Sequence, residues 1–206
     1  IFKIKTMKTL NLLAALLFST TIAFAQTDLS KAFSESYTLE YNKEYGKAIA
    51  TLEKVYAADS YELNLRLGWL EYINGQYTKS QDYYKKAIAI SSSSVEALFG
   101  YAFPTAALAQ WDDIIKTYNK VLSIDATNYI ANYRLAHIYY SRKDMANAKK
   151  YALEANKQYP FDYYINLLLG KINIANGDKV AAKTYISNAY NYDPTVKEVV
   201  ELLKTL

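Results

Sequence analysis

A segment of the same pattern recurs five times along the 206-residue chain. Successive copies are offset by 32, 34, 34 and 34 residues, and they begin at Glu44, Gln76, Gln110, Asp144 and Asp178. A fixed period of this length is typical of stacked supersecondary units, because each unit buries its apolar face only against its neighbours. The period therefore predicts a repeat protein.

Each repeat contains two helical stretches separated by a turn. In the second repeat, Leu63 and Leu67 follow the spacing of one helix face. Residues 74–75, an Asn-Gly pair, interrupt this pattern, and a second amphipathic stretch begins at Tyr77. We therefore expect an all-α fold in which every repeat is an antiparallel pair of helices.

Compact residues recur at three positions of the repeat, counted from the start of its first helix. The eighth position holds Ser36, Gly68, Ala102, Ala136 and Gly170. The twentieth holds Ala48, Ser80, Ala148 and Ala182, with Ile114 as the exception, and the twenty-seventh holds Val55, Ala87, Val121, Ala155 and Ala189. This pattern resembles the tetratricopeptide repeat, in which small side chains let the paired helices approach closely.

The resemblance implies a right-handed α-solenoid, a superhelix of antiparallel helix pairs. The repeats that it predicts span residues 29–60, 61–94, 95–128, 129–162 and 163–196. The serine run at residues 91–94 falls between two repeats and leaves their spacing intact. We therefore interpret this run as a turn rather than a linker, and we expect a single domain over residues 26–206.

The last residues of the chain predict one further helix. Asp193 is a favourable capping residue and Pro194 is favourable in a first turn, so we expect a capping helix over residues 194–206. We expect this helix to cover the fifth repeat with an apolar stripe. The stripe comprises Val196, Val199, Val200 and Leu203.

The first residues of the chain have the features of an export signal. Three lysines precede a 16-residue apolar run, which ends in an A-x-A cleavage pattern at residues 23–25. The run is interrupted by polar residues and is shorter than the roughly 20 apolar residues of a membrane-spanning helix. We therefore predict a signal peptide over residues 1–25, cleaved after Ala25. The protein is expected to be periplasmic or secreted, without an integral membrane segment after cleavage.

The composition argues against several classes of function. The chain has 24 Lys and Arg against 20 Asp and Glu, but three of the lysines belong to the predicted signal peptide. The remainder is nearly neutral, so no cationic surplus favours nucleic-acid binding. The chain has no cysteine, a single histidine, His137, and no glycine-rich phosphate loop. We therefore expect no catalysis, no cofactor and no metal site.

The resemblance also implies a binding surface, because in that family the first helix of each pair lines a concave groove. The positions that usually contact ligands are largely aromatic here, and they hold Phe33, Tyr37, Tyr41, Trp69, Tyr72, Phe99, Phe103, Tyr133, His137, Tyr140 and Tyr164. Arg66 and Arg134 share the sixth position. Aromatic rings supply large and rigid contact areas. We therefore expect a scaffold that binds a protein or peptide partner in this groove.

Alternatives stay open at this point. The rings also suit a carbohydrate-binding module, and the end repeats or the C-terminal stripe suit self-association into homo-oligomers. The two arginines could hold an anion, or they could be solvated or paired with Glu62 and Glu71.

Trp111 and Tyr118 occupy positions that face the core in the resembled family. Pro104 predicts a kink in its helix, which either reshapes the groove or is tolerated by packing.

Overall fold

The computed structural model describes residues 28–206, which contain eleven helices and no strand. The chain divides into two compact units, and the boundary lies between Ser92 and Ser93. Unit 1 contains α1 (28–41), α2 (Tyr45–Glu53), α3 (Tyr61–Ile73) and α4 (Tyr77–Ile90). Unit 2 contains α5 (Val95–Ala107), α6 (Trp111–Ile124), α7 (Tyr129–Ser141), α8 (Met145–Gln158), α9 (Tyr163–Ala175), α10 (Lys179–Tyr192) and α11 (Lys197–Thr205).

The predicted all-α class and its helix pairs are confirmed. The single-domain expectation stays a prediction, and the expected signal peptide lies outside the described residues.

Side-chain caps mark where the first helix of each later pair begins. The side chains of Ser60, Ser94, Asn128 and Asp162 accept hydrogen bonds from the backbone N–H three residues further along α3, α5, α7 and α9. Such caps satisfy donors that have no partner within the helix. The serine run at 91–94 thus ends in a helix cap.

None of the described helices is long and apolar enough to cross a bilayer.

The turn inside each pair has one residue with a positive φ angle. These residues are Lys43 (61°), Gly75 (79°), Ala109 (54°), Lys143 (61°) and Gly177 (75°). They follow the same offsets as the sequence repeat, so they fix how the residues of one repeat correspond to those of another. Left-handed backbone suits glycine, whereas a side chain at this position adds strain.

Size complementarity explains how closely the helices of a pair pack. A Cβ at Gly68 would lie 3.0 Å from the Tyr84 ring, and one at Gly170 would overlap the Ile186 side chain. The bulky partner occupies the twenty-fourth position in both repeats. The close approach implied at the eighth position is therefore present, because the missing side chain on one helix makes room for a large one on the other.

The pair formed by α5 and α6 departs from this arrangement. Ile114 occupies the twentieth position, where the other repeats have a small residue. The eighth and twenty-fourth positions hold Ala102 and Tyr118, whereas the second repeat combines its tyrosine with a glycine. The two helices pack less extensively than the pairs α3–α4, α7–α8 and α9–α10.

Helix α11 covers the last helix pair, but it begins at Lys197 rather than at Pro194. The Asp193 carboxylate accepts hydrogen bonds from the backbone N–H and the hydroxyl of Thr195, at 3.0 and 2.6 Å, which holds these residues in a turn. Val199 is fully buried in a cluster with Leu167, Ile186 and Ala189, against which Val196, Leu202, Leu203 and Leu206 pack. Much of the expected apolar stripe is thus used within the chain.

Candidate functional site

In unit 1, several predicted groove residues form a closed cluster around Glu40. The Arg66 guanidinium pairs with the Glu40 carboxylate, and Trp69 Nε1 donates a hydrogen bond to Glu40 Oε1 at 2.7 Å. Arg66 Nε donates to Ser36 Oγ at 3.2 Å. The guanidinium carbon lies 3.8 Å from the centroid of the Tyr37 ring. The cluster therefore provides its own carboxylate for a cation and for an indole N–H.

Of the alternatives left open for Arg66, pairing with Glu62 or Glu71 was wrong, because the structure pairs it with Glu40. Arg66 is only 7% exposed and extends from α3 towards α1, where Glu40 meets it. A long side chain at the sixth position reaches the preceding first helix instead of residues on its own helix. The sequence offered a signal for this pair, because Glu40 is the acidic side chain at the twelfth position of the first repeat.

The other predicted residues of unit 1 differ in their surroundings. Phe33 packs against the buried core between the helix pairs, and the Tyr72 ring lies 5.8 Å from that of Trp69. Tyr41 is 88% exposed. In this unit the aromatic residues thus divide between core packing, the Glu40 cluster and open surface.

In unit 2, a groove of about 500 Å³ opens between α6 and α7, beside the end of α5. The residues that line it are Ala106, Trp111, Ile114, Tyr118, Tyr133, Arg134, His137, Ile138, Ser141 and Arg142. Tyr133, Arg134 and His137 were predicted from the sequence, whereas the other seven were not. The groove is thus the place where unit 2 brings predicted binding residues together.

The groove follows from side-chain sizes at the α5–α6 pair. Ile114 stands where a small residue usually lets the helices meet, and Ala106 contributes only a methyl group to the opening. Trp111, which was expected to face the core, is instead 46% exposed in the groove wall. That expectation was wrong, because it presumes closely packed helices. Tyr118 is buried, as expected.

A row of rings leads away from the groove along α7. The Tyr129 and Tyr133 rings are stacked, with centroids 5.8 Å apart, and the His137 ring meets Tyr133 edge-on at 4.6 Å. The Tyr159 ring lies 4.8 Å from Tyr129 at the other end of the row. Residues four apart lie on one face of a helix. The row therefore extends the aromatic wall of the groove.

The groove is cationic in character. Arg134 is exposed, and no acidic side chain pairs with it in the part of the chain that the structure describes. Arg142 Nη2 lies 2.9 Å from Asp112 Oδ1. Although part of His137 is exposed, desolvation by its surroundings lowers its pKa, and the charges of Arg134 and Lys171 lower it further. A neutral His137 offers one ring N–H as a donor.

The remaining predicted residues of unit 2 lie outside this groove lining. The Phe99 ring packs against Tyr118 at 6.0 Å, and Tyr140 packs against the core between α7 and α9. Phe103 and Tyr164 are exposed. Helix α5 continues through Pro104, so the proline does not end the helix, and the expected kink stays a prediction. Among residues 28–206, no group of three or more His, Asp and Glu side chains could hold a metal ion.

Known proteins share the repeat and the fold. Sequence models of the tetratricopeptide repeat match residues 33–95 and residues 129–162. The structure of MamA matches with a TM-score of 0.71 at 16% identity, over 81% of this chain and 92% of that one. A tetratricopeptide repeat protein from Parabacteroides merdae ATCC 43184 matches with a TM-score of 0.75 at 14% identity, over 87% of this chain and 72% of that one.

A further structure is that of YrrB, described as a tetratricopeptide repeat protein with an unusual peptide-binding site. It matches with a TM-score of 0.70 at 13% identity, over 92% of this chain and 98% of that one. No curated protein sequence matches the chain. The chain therefore contains tetratricopeptide repeats and has the α-solenoid fold that they build, while identities this low carry no more than the fold. Neither matching family model describes an enzyme.

Proposed function

We propose that the chain is a non-catalytic scaffold that captures an extended segment of a partner protein in the groove between α6 and α7. The observation that carries the proposal is the groove itself, which is lined by the exposed ring of Trp111, by Tyr133 and by Arg134, a cation without an ion pair among the described residues. Its volume falls in the range of ligand sites, roughly 300–1,000 Å³. Exposed Trp, Tyr and Arg side chains are also the residues that dominate binding energy at protein interfaces.

Two further points support a peptide-like occupant. The walls are helices held by their neighbours, so little conformational entropy is lost when a segment docks. The solved relative YrrB is described as having a peptide-binding site on the same fold. By that analogy, the groove and the adjacent row of rings on α7 would hold a segment in an extended form.

We also propose that the scaffold works outside the cytoplasm, on the strength of the export signal predicted for residues 1–25. Sequencing the N-terminus of the protein isolated from its native cells tests this directly. We expect the mature chain to begin at Gln26. A chain that retains its first residues in a cytoplasmic fraction would overturn the proposal of export without affecting the groove.

The groove is tested by a crosslinking pull-down from native cells with the unmodified chain and with the Trp111→Ala/Tyr133→Ala variant. Tyr190→Ala removes an exposed ring from α10, outside the groove, and serves as the matched control. We expect one specific partner protein to be captured by the unmodified chain and the control and lost from the double variant. Equal capture by all three proteins would show that the groove is not the binding surface.

Carbohydrate binding is the second candidate, favoured by two exposed rings, one in the turn that follows α8 and one at the last residue of α10. Phe161 and Tyr192 are both exposed, and their ring centroids lie 5.6 Å apart. Aromatic rings of this kind can stack on the faces of sugars. A glycan array with the unmodified chain and the Phe161→Ala/Tyr192→Ala variant distinguishes this candidate from a protein scaffold.

A further inference from the structure

The repeats make parts of the two units directly comparable. Lys43 and Ala109 are the positive-φ residues that end the first helix in the first and third repeats, so residues of α1 correspond to residues of α5. Gly75 and Lys143 relate α3 to α7 in the same way. Helices α1 and α3 of unit 1 therefore correspond, residue by residue, to helices α5 and α7 of unit 2.

In unit 1 the chain itself supplies the carboxylate of this arrangement. Glu40 supplies a carboxylate that accepts from the Arg66 guanidinium and from the Trp69 indole N–H. The Tyr37 ring covers the guanidinium from one side. A cation, an N–H donor and a ring thus surround one carboxylate.

In unit 2 the corresponding positions keep three of these four elements. Arg134 corresponds to Arg66 as the cation, and His137 corresponds to Trp69 as the N–H donor. Phe103 corresponds to Tyr37 as the ring. Ala106 corresponds to Glu40, so this position has a methyl group instead of a carboxylate. The groove opens at this point, since Ala106, Arg134 and His137 all line it.

We propose that the groove of unit 2 binds a glutamate side chain of the partner segment, whose carboxylate takes the place that Glu40 fills in unit 1. The carboxylate accepts hydrogen bonds from Arg134 and from the ring N–H of His137. Trp111 and Ile114 form an apolar wall beside it, so a bulky apolar residue of the segment lies next to the glutamate. This inference rests on the proposed function, because it names the chemistry of the segment that the groove captures.

Charge complementarity carries the choice of ligand. No acidic residue lines the groove within the described chain, and Arg134 has no ion pair there, whereas its counterpart Arg66 is paired and buried. Hydrogen bonds between a guanidinium and a carboxylate are among the stronger polar contacts in proteins. A neutral His137 can donate to the carboxylate. Desolvation is the main cause that lowers the pKa of His137, and a bound carboxylate would counter the further lowering by Arg134 and Lys171.

The first experiment supplies the carboxylate from the chain itself. Ala106→Glu should place a carboxylate between Arg134 and His137, as Glu40 is placed in unit 1, and Ala106→Gln adds the same bulk without the charge. We expect NMR titration to give a higher pKa for His137 in Ala106→Glu than in the unmodified chain, and no such rise in Ala106→Gln. Equal His137 pKa values in the two variants would show that these positions do not form a carboxylate site.

The second experiment selects binding peptides from a display library of random sequences. We expect the selected peptides to share a glutamate beside a bulky apolar residue, and replacing that glutamate by glutamine should weaken binding about 10- to 100-fold. Arg134→Gln should weaken it by a similar factor, and the two changes together should do little more than either alone. Lys183→Gln, which removes an exposed charge from α10, should leave binding unchanged.

The outcomes separate this inference from the function on which it rests. Peptides that depend on Trp111 but not on their glutamate would overturn the carboxylate site and leave the scaffold in place. Peptides whose binding is abolished by amidation of their C-terminus would overturn the choice of a glutamate side chain. If no selected peptide loses binding to Trp111→Ala, the proposed function itself fails.

Discussion

Glu71 is a buried carboxylate at a position where the tetratricopeptide pattern usually has an aromatic residue. It is 3% exposed, and its Oε2 has no hydrogen-bond partner among the described residues. Its other oxygen, Oε1, lies 4.0 Å from the Nζ of Lys79. Burial raises the pKa of Glu71, and the negative charge of Glu53 raises it further, whereas Lys79 lowers it. Unit 1 therefore carries a carboxylate that is costly to ionise.

We predict that Glu71 makes unit 1 less stable as the pH rises. The pKa of a group that is raised on folding lies above its unfolded value, so the folded state binds more protons over that interval. The free energy of unfolding should therefore fall as the pH rises from about 4.5, the ordinary value, through the raised pKa of the folded state. Above that pKa the loss is complete, and no further change is expected from this group.

The substitution Glu71→Gln tests this prediction. It should raise the free energy of unfolding near neutral pH by about 1–3 kcal/mol, because glutamine removes the buried charge and leaves only a neutral amide without a partner. The gain should shrink at acid pH, where Glu71 is protonated. Urea denaturation across this pH range provides the measurement, and Glu35→Gln, at an exposed glutamate of α1, is the control. A gain that does not vary with pH would contradict the assignment.

Three buried asparagines inside the helices have a structural role that their positions in the sequence did not indicate. Asn64, Asn132 and Asn166 occupy the fourth position of their repeats and are fully or almost fully buried. Each Nδ2 donates to two backbone carbonyls at or before the start of its helix, as when Asn132 bonds Ala126 and Asn128. Their recurrence was visible in the sequence, but their role was not, because asparagine inside a helix is usually exposed or unfavourable.

At the scale of the element, the helix pairs were predictable and the groove was not. Helix pairing depends on small residues at one position, such as Gly68 and Gly170, and each repeat carries that signal separately. The groove depends on three residues in different helices, Ala106, Ile114 and Arg134, and on how extensively α5 and α6 pack. The sequence shows Ile114 as an exception at the twentieth position. The exposure of Trp111 could not be predicted from it, because that exposure depends on how the whole helix pair packs.

The α9–α10 pair offers a test of size complementarity. Gly170→Ala should lower the free energy of unfolding by about 1–3 kcal/mol, because its Cβ overlaps the buried Ile186 side chain. Ile186→Ala should cost about 2–5 kcal/mol through the cavity that it leaves. In the double variant the new methyl group occupies space freed by Ile186. We therefore expect a loss smaller than the sum of the two single losses.

The fourth repeat shows why the double variant should still fold, since it has Ala136 and Ala152 at the corresponding positions, both fully buried. Chemical denaturation of the four proteins completes the double-mutant cycle. Gly46→Ala is the control, because no atom lies within 4 Å of the added Cβ and an alanine within a helix is favourable. Additive losses at positions 170 and 186 would contradict the complementarity argument.

At the scale of the whole molecule, stability depends on contacts between successive helix pairs. The buried apolar residues form separate clusters, one between the pairs of unit 1, one across α7 to α9, and one between the last pair and α11. In a repeat protein, each pair is stabilised mainly by its neighbours. Within residues 28–206, the last pair of unit 2 packs against α8 through α9 and against α11 through α10.

Truncation before Val196 should therefore act on the end of unit 2. It exposes Leu167 and Ile186 and removes the ion pair between Lys171 and Glu198, whose atoms lie 2.5 Å apart. Hydrogen exchange should show a marked loss of protection in α9 and α10 and a smaller one in α7 and α8, because the effect passes through neighbouring pairs. Lys171→Gln is the control, since it removes the ion pair while the apolar cover stays. If the truncated chain keeps full protection in α9 and α10, α11 is not a cap, and its burial of Val199 contributes little to the stability of the last pair.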